Sequence, residues 1–294
     1  MINVIGDGDV SVGENCKIGS RVNIFFRKKG TFILGDYVTL EDDVKVVIDG
    51  GEVSISDWTT VHNNTLLISK KKLLIGRHCW FGQNSILDGT GGLTIDDGVR
   101  VGMYSQIWTH VAAGEQIEGC RLYSEKPTHI KKDVWLVGSC TIGSGIELGE
   151  RVVCMNGANV TKSIPHHSVV VGSSGLIRKG LKLYKEISLD EKFNLIEGWI
   201  AEFSILNGFS ITKHSNSFIT IGKQDGFSLS IYLFGLDFYE NIGKENFVAF
   251  CVENKQYEKK YTKLEELFIR YLSGNKARFY PIEKDSLPNH KYLS

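Results

Sequence analysis

The stretch IKKDVWLVGSCTIGSGIELGERVVCMNGANV, residues 130–160, repeats a pattern every six residues. Its aliphatic positions lie six apart, at Ile130, Leu136, Ile142, Leu148, Cys154 and Val160. A second set of small or branched residues follows four positions after the first five, at Val134, Cys140, Ile146, Val152 and Ala158. Neither the three-and-four spacing of a helix nor the alternation of a simple strand explains a period of six, so the pattern indicates a structural repeat.

Each six-residue unit is predicted to form one flat side of a coil. The aliphatic side chain points inward and stacks on its counterpart in the next coil, and three sides close one turn. Glycine follows the aliphatic residue at Gly143 and Gly149, where a corner needs unusual dihedral angles or a close approach of backbone. The fold class predicted from this pattern is mainly β, a left-handed parallel β-helix.

The repeat extends from this stretch toward the N-terminus, with interruptions. Earlier units are marked by Val12, Ile18, Ile24, Leu34, Leu40, Ile55, Ile75, Phe81, Leu87, Ile95, Val101 and Ile107. We therefore predict one solenoid domain over residues 1–180. Its ends need capping, because terminal coils expose strand edges that can pair with other chains.

Residues 181–294 lack the period and are predicted to form a small C-terminal α+β domain of unknown role. Residues 189–206 (LDEKFNLIEGWIAEFSIL) have apolar residues at helical spacing, and Asp190 suits a helix N-terminus. Further predicted elements are strands at 218–221, 227–234 and 247–252, and a helix at 262–272.

Composition disfavours several classes of protein. The chain has 34 Lys plus Arg and 34 Asp plus Glu, and this balance argues against a nucleic-acid partner. The N-terminal MINVIGDGDV does not resemble a secretory signal, and no segment approaches the ~20 apolar residues of a transmembrane segment. We expect a cytoplasmic protein, with cysteines at repeat positions acting as reduced thiols that fill the core.

The largest interruption of the repeat covers residues 108–129. This polar segment does not fit a flat side and is predicted to leave the solenoid as a loop, and loops on rigid scaffolds often carry function. Thr109-His110 lies at its start and Lys126-Pro127 at its end. Residues 133–136 (DVWL) follow where the coil resumes.

These motifs, together with residues 157–165 (GANVTKSIP) and 169–172 (VVVG), resemble those of the hexapeptide-repeat acyltransferases. That family includes maltose, galactoside and serine O-acetyltransferases and O-acetyltransferases of bacterial surface sugars. The matching motifs lie within residues 107–180, the family pattern covers the repeat region, and residues beyond about 180 are left unaccounted for. It implies direct transfer of an acetyl group from acetyl-CoA to a hydroxyl or amine. It also implies a homotrimer with active sites between adjacent solenoids.

The resemblance makes His110 the predicted general base. A sugar hydroxyl must lose its proton as it attacks the thioester carbonyl, and histidine exchanges protons near neutral pH. A backbone N–H is expected to bind the developing negative oxygen, and Trp135 to hold the reacting groups or pack on the pantetheine arm. The residue that orients His110 is not indicated. The alternative for His110 is a surface histidine without a role, and the alternative for Trp135 is an ordinary interface aromatic.

The same resemblance implies residues that bind the coenzyme and the acceptor. The coenzyme groove is predicted to include Trp135, Ser139, Gly157, Ala158, Lys162, Arg178 and Lys179. Small residues let pantetheine amides approach the backbone, and the basic residues past the last coil suit phosphates. Asn84 and Asp88 are predicted to bind acceptor hydroxyls. Residues 172–176 (GSSGL) lack the Gly-x-Pro-Ala-like turn common in the family, a departure at the phosphate end of the site.

We therefore predict an acetyl-CoA-dependent O-acetyltransferase with a carbohydrate acceptor. The acetylated group is expected to be a sugar hydroxyl of a bacterial surface glycan, a capsule or lipopolysaccharide, and no metal is expected. One alternative is N-acetylation of an amino sugar nucleotide, although such enzymes often carry a nucleotide-binding domain before the repeats. Another is a scaffold without catalysis. A metal enzyme resembling the γ-type carbonic anhydrases needs three histidines on one zinc, and in that group two of them lie five apart in sequence. Here Ser105 and Glu115 stand five positions from His110, which argues against this alternative.

Overall fold

The computed structural model describes residues 2–112, 123–173, 175–177, 179–180, 187–224, 226–273 and 276–282. The chain divides into two compact units, Met1–Lys185 and Glu186–Ser294.

The first unit is a coil whose sides are formed by three sheets. Among its described residues, sheet 1 has eight strands, sheet 2 has seven and sheet 3 has nine. Sheet 1 contains β1 (Asn3–Ile5), β4 (Asn23–Lys28), β7 (Lys45–Asp49), β10 (Leu66–Ser69), β13 (Ile86–Gly89), β16 (Gln106–Ile107), β21 (Thr141–Ile142) and β24 (Asn159–Val160). Sheet 2 contains β2 (Asp9–Val12), β5 (Thr31–Leu34), β8 (Glu52–Ile55), β11 (Lys72–Ile75), β14 (Leu93–Ile95), β19 (Thr128–Ile130) and β22 (Glu147–Leu148).

Sheet 3 closes each turn of the coil. It contains β3 (Lys17–Ile18), β6 (Thr39–Leu40), β9 (Thr60–Val61), β12 (Trp80–Phe81), β15 (Arg100–Val101), β20 (Trp135–Leu136), β23 (Val153–Cys154), β25 (Val169–Val171) and β26 (Leu176–Ile177). Neighbouring strands pair in parallel from β3 to β25, and β26 then runs antiparallel to β25 at the C-terminal end of the sheet.

The period of six arises because each side of each coil contributes an inward aliphatic residue. Ile142 pairs with Val160 in sheet 1, and Leu136 pairs with Cys154 in sheet 3. One coil therefore consumes three six-residue units here. All six aliphatic positions of residues 130–160 are at most 1% exposed. The left-handed parallel β-helix predicted from the sequence is confirmed.

Two corners of each coil turn through a residue in the left-handed conformation. Between sheets 3 and 1 these residues include Asn84, Ser139 and Gly157, with φ of 57°, 49° and 74°. The N–H of Ser139 donates to the carbonyl of Met103 in the preceding coil at 2.9 Å, and Asn84 and Gly157 donate to the preceding coil in the same way. This repeated hydrogen bond helps to hold non-glycine residues in a conformation that they seldom adopt. The third corner, between sheets 1 and 2, carries the insertions.

The second unit is a mixed sheet with helices, so the predicted α+β class is confirmed. Its described strands are β27 (Ile211–Ser215), β28 (Phe218–Gln224), β29 (Phe227–Tyr232), β30 (Phe247–Cys251), β31 (Gln256–Tyr257) and β32 (Tyr280–Pro281). Its described helices are α1 (Leu189–Asn207), α2 (Gly235–Tyr239) and α3 (Lys263–Leu272). A lipid bilayer could not be crossed by any helix in the described part of the chain, since none combines enough length with enough apolar residues.

Helix α1 forms where its sequence pattern predicts a helix. Ser188 caps its start, because the Ser188 hydroxyl accepts the N–H of Glu191 and the Glu191 carboxylate accepts the N–H of Ser188. Its buried face contains Phe193, Ile196, Ile200, Phe203 and Ser204. The apolar positions at helical spacing are thus the ones that pack into the core of the second unit.

Candidate active site

The longest corner insertion of the first unit begins at His110. After β16, the chain leaves sheet 1 and forms β17 (His110–Ala112), which pairs in antiparallel fashion with β18 (Tyr123–Glu125). His110 lies opposite Glu125 at the base of this ribbon. The polar segment predicted as a loop therefore starts and ends as paired strands, and residues 113–122 lie outside the described residues.

A buried carboxylate holds the ring of His110. Asp88, on β13 in the preceding coil of sheet 1, places Oδ2 2.7 Å from His110 Nδ1. The Asp88 side chain has no exposed surface, whereas that of His110 is 37% exposed. Because a carboxylate accepts hydrogen bonds, Nδ1 carries the proton and Nε2 of neutral His110 is left as an acceptor. His110 can therefore take a proton from a bound group.

Two threonines complete the surroundings of the Asp88 carboxylate. Oδ1 accepts the Thr90 N–H at 3.1 Å and the Thr90 hydroxyl at 2.6 Å. Oδ2 accepts the Thr109 N–H at 2.8 Å, and the Thr109 hydroxyl is equally close. Burial disfavours the charged form, but hydrogen bonds from Thr90, His110 and Thr109 outweigh it and hold the pKa of Asp88 below its usual range. The carboxylate thus stays ionised and can stabilise a protonated His110.

Thr109 also ties the two ends of the insertion to the coil. Its hydroxyl accepts the N–H of Gly91 at 2.8 Å. Its carbonyl accepts the N–H of Lys126 at 3.0 Å and the hydroxyl of Ser144 at 2.9 Å. A Cβ on Gly91 would lie 2.3 Å from the Thr109 carbonyl oxygen, so this close approach requires glycine.

Glu125 connects the returning strand of the ribbon to an earlier coil. Its carboxylate lies 2.7 Å from Lys70 Nζ and 3.9 Å from Lys71 Nζ. The hydrogen bond from Lys70 lowers the pKa of Glu125. Exposed ion pairs contribute little to stability. We therefore infer that the role of this contact is to orient the ribbon where it leaves the coil.

Among the residues predicted to line the coenzyme groove, Ser139 and Gly157 share one corner. They occupy the same turn between sheets 3 and 1 in successive coils, and both are exposed. A Cβ on Gly157 would meet nothing within 4 Å, so the space outside this corner is open. Ala158 has no exposed surface, and its methyl group lies in the core, where it cannot contact a ligand.

The basic residues predicted to meet the coenzyme phosphates are only partly described. Lys162 and Lys179 are exposed, as a phosphate contact needs. Arg178 lies outside the described residues.

Within one chain, Trp135 and His110 are not brought together. Trp135 is 44% exposed on sheet 3, in register between Arg100 and Val153. His110 follows a strand of sheet 1, so the two side chains leave different sides of the coil.

The two residues predicted to bind the acceptor occupy different environments. Asn84 is half-buried in the corner column that also holds Ser139. The Asp88 carboxylate is buried and turned toward His110, so it supplies the orienting group that the sequence left open. Strand register was the available signal: Leu87 pairs with Ile107, which sets Asp88 beside the start of the insertion.

A second histidine–carboxylate pair provides an internal comparison. His129 Nε2 lies 2.7 Å from Asp96 Oδ1 on sheet 2. Both side chains are about one-third exposed, at 33% and 35%, and His129 lies on β19, where the chain has rejoined sheet 2. Burial of the carboxylate therefore distinguishes the Asp88–His110 pair.

Comparison with known proteins gives partial matches. No protein-family model matches the chain. It is 32% identical to nodulation protein L of Rhizobium meliloti (strain 1021) over 106 residues, 35% of this chain and 57% of that protein. It is 26% identical to a galactoside O-acetyltransferase of Lactococcus lactis subsp. lactis (strain IL1403) over 136 residues, 44% of this chain and 56% of that protein. The chain thus spans little more than half the length of these relatives.

A solved structure shares the fold. The crystal structure of the polySia specific acetyltransferase NeuO matches with a TM-score of 0.53 and 18% identity, over 64% of this chain and 83% of that one. The resemblance to the hexapeptide-repeat acetyltransferases is confirmed. In the described part of this hexapeptide-repeat chain, no group of three or more His, Cys, Asp or Glu residues is arranged to hold a metal ion.

Proposed function

We propose that the chain is an acetyl-CoA-dependent O-acetyltransferase acting on a sugar hydroxyl of a bacterial surface glycan, such as a capsule or lipopolysaccharide. The observation that carries this proposal is the 2.7 Å contact between the buried Asp88 carboxylate and His110 Nδ1, with the His110 ring partly exposed at the base of the ribbon. The partial likeness to a galactoside O-acetyltransferase supports a sugar acceptor.

In the proposed reaction, His110 Nε2 accepts the proton of the acceptor hydroxyl as that oxygen attacks the acetyl carbonyl carbon. A carbon–oxygen bond forms and the carbon–sulfur bond of the thioester breaks. The proton then passes from His110 to the leaving sulfur, which departs as the thiol and restores neutral His110. Asp88 stabilises the transient imidazolium. General-base catalysis of the kind proposed for His110 contributes about 10²–10⁴-fold in rate.

Open space and charge support the coenzyme contacts proposed for this chain. Ser139 and Gly157 would allow the pantetheine amides to reach backbone groups at their exposed corner. Lys162 and Lys179 would donate to its phosphates. Acetyl-CoA, when bound, supplies the activated acyl group, and the protein supplies orientation and the base.

The separation of Trp135 from His110 supports assembly of the site from two subunits. The two residues leave different sides of one coil, so both can act on the same acetyl group only if adjacent chains contribute them. We propose a homotrimer, since three-fold closure gives each chain both kinds of neighbour. Light scattering of the purified protein tests this, and a monomer that retains activity would contradict it.

A cytoplasmic location is part of the proposal. Cys79, Cys140 and Cys154 are free thiols buried in the core of the first unit. Free buried thiols suit a reducing compartment. Cell fractionation with an antibody against the chain checks the location.

The test is release of thiol from acetyl-CoA in the presence of free sugars, sugar nucleotides and polysaccharides with free hydroxyls. We expect one acceptor class to give turnover that His110→Ala reduces by about 10²–10⁴-fold. The matched control is His129→Ala, which removes the histidine of the other pair and should change turnover less than about threefold. Equal loss in both variants, or full activity of His110→Ala, would overturn the assignment of His110.

An amino sugar nucleotide in the same panel separates oxygen from nitrogen transfer. Acetylation of its amine alone would replace O-acetylation with the N-acetyltransferase alternative. Absence of turnover with every acceptor, together with absence of coenzyme A binding by calorimetry, would favour a scaffold.

A further inference from the structure

One face of the sheet in the second unit is incompletely covered. The opposite face carries Ile219, Leu229 and Phe250, buried among residues from α1 and α3. On the less covered face, Thr220, Ser230 and Ala249 form a row across β28, β29 and β30. Helix α2 packs over the neighbouring part of this face. Beside it lies a cavity of about 400 Å³.

The cavity has a small, polar floor between aromatic walls. Ser230 and Ala249, only 2% and 1% exposed, lie at its centre. On one side, the rings of Phe218 and Tyr232 stack with centroids 4.6 Å apart and planes 5° apart. On the other side lies Phe247, which is 38% exposed. Because strand residues two apart share a face, both walls rise from the same face as the floor.

The rim comes from α2 and the turn after it. Asn241 Nδ2 donates to the carbonyl of Asp237 at 2.5 Å, and the Lys244 ammonium donates to Asn241 Oδ1. In the part of the chain that the structure describes, no hydrogen bond or ion pair engages the Asp237 carboxylate, although it is half-buried and lines the cavity. An acceptor and two donors are therefore presented together at the opening.

The Tyr232 hydroxyl adds a neutral group to this set. Burial raises the pKa of Tyr232, and the negative charge of Asp237 raises it further. A hydrogen bond with Ser230 lowers it by less, so the pKa stays above its ordinary value. The phenol thus stays protonated at neutral pH, with Ser230 as its neighbour.

The lining selects among classes of ligand. An acyl chain is disfavoured because the floor contains a serine hydroxyl and the rim is charged. A phosphate is disfavoured because the Asp237 carboxylate faces the same opening as Lys244, so the lining has no excess of positive charge. A sugar ring suits it, since its hydroxyls both donate and accept while its C–H faces pack against aromatic rings. The volume lies in the usual range of about 300–1,000 Å³ for small-molecule sites.

We propose that this cavity binds one sugar unit of a glycan. That this glycan is the acceptor of acetyl transfer rests on the function proposed above. The second unit of the protein then binds one sugar of the polymer while another sugar of the same polymer reacts at His110. The site would raise affinity for long acceptors without taking part in the chemistry.

The direct test is saturation-transfer difference NMR on the full chain, with methyl glycosides of hexoses, N-acetylhexosamines and sialic acid as probes. We expect transfer to at least one glycoside, with affinity reduced at least tenfold in Asp237→Asn and in Lys244→Ala. Both positions lie on the rim, and circular dichroism checks that the variants fold. The matched control is Lys213→Ala on β27, whose lysine lies 2.7 Å from Glu197 and outside the cavity.

Kinetics supplies the second readout. Asp237→Asn should raise KM about tenfold for an oligosaccharide acceptor, while leaving kcat and the KM for a single sugar unchanged. His110→Ala should do the reverse, lowering turnover by about 10²–10⁴-fold while glycoside binding stays intact.

Two results would overturn the proposal: no glycoside binds the wild-type chain, or binding survives unchanged in both rim variants. Binding at the cavity without any acetyl transfer would instead refute the proposed function and leave the sugar site standing. Acetyl transfer without glycoside binding would refute the site alone.

Discussion

Replacement of Asp88 by asparagine isolates the charge of the candidate dyad with little change of shape. The carboxylate oxygens accept N–H groups from both Thr90 and Thr109, and Oδ2 also contacts His110 Nδ1. An asparagine side chain has one oxygen and one NH₂ group. In either orientation, the NH₂ group therefore faces a backbone N–H that has lost its acceptor.

Each orientation has a different cost. With the amide oxygen toward Thr109 and His110, the N–H of Thr90 loses its partner. With the amide flipped, His110 Nδ1 must accept instead of donate, which moves the ring proton to Nε2 and removes the base. An unsatisfied buried donor costs about 1–3 kcal/mol of stability. We expect that loss, together with a fall in kcat of about 10²–10⁴-fold, the range of general-base assistance.

Acid titration gives an independent check on stability. Because the pKa of Asp88 is held below its ordinary value in the folded state, its hydrogen bonds stabilise the fold above the unfolded pKa of about 3.9. That contribution is lost as pH falls through the lower, folded pKa. The gap in unfolding free energy between wild type and Asp88→Asn should therefore narrow in acid, as measured by urea unfolding.

The kinetic assay is thiol release with the acceptor identified for the wild-type chain. The matched control is Asp96→Asn, which makes the same change at an exposed pair with His129 and should alter kcat less than about threefold. A folded Asp88→Asn protein that retains kcat within about threefold of wild type would refute the positioning role of Asp88.

Three further predictions concern stability. Burial raises the pKa of Glu265, which completes the capping box of α3 with the N-cap Thr262, to about 7. Wild-type stability should therefore fall as pH rises from the unfolded pKa of about 4.3 to 7. Glu265→Gln keeps the capping box and should remove that fall in urea unfolding, whereas parallel curves for both proteins would contradict the assignment. Gly91→Ala should destabilise the first unit by about 1–3 kcal/mol and lower turnover, because its Cβ would lie 2.3 Å from the Thr109 carbonyl oxygen. The same change at Gly198 in α1, where nothing lies within 4 Å, should stabilise by about 0.5–1 kcal/mol in thermal unfolding.

The fold was predictable where coils have equal length. From Ile142 to Val160 every corner has the same size, so inward positions recur at one spacing. Further toward the N-terminus, Ile24 pairs with Val46 and Val46 with Leu67. The corner between sheets 1 and 2 differs in length among these coils. The spacing of inward residues along the sequence therefore varies, although the strands of successive coils stay in register. For this reason the predicted units do not include Val46 and Leu67.

In the second unit, elements with buried faces were predictable and exposed ones were not. Helix α1 and strand β30 carry apolar residues at the spacing of their structures. Strand β27 is exposed throughout and so lacks alternation, and α2 has only five residues and no side-chain cap. Their positions follow from pairing and packing with other elements, which local sequence does not encode.

The candidate site shows the same division between pattern and register. The family resemblance identifies His110, at the start of an insertion. The same resemblance assigns Asp88 to the acceptor, because its proximity to His110 is created only by the pairing of β13 with β16. Once coils are aligned by their inward residues, the search for an orienting carboxylate reduces to the residues one coil earlier.

The geometry of the corners explains why the insertion leaves where it does. At the other two corners, a left-handed residue donates its N–H to the preceding coil, so an extra residue would break a ladder of hydrogen bonds. The corner between sheets 1 and 2 already varies in length from coil to coil, and it can open into a ribbon at His110 without disturbing β16. Asp88 lies on the regular strand beneath. The base is thus carried by the variable part of the coil and its orienting carboxylate by the rigid part, an arrangement that lets the loop change while the dyad keeps its geometry.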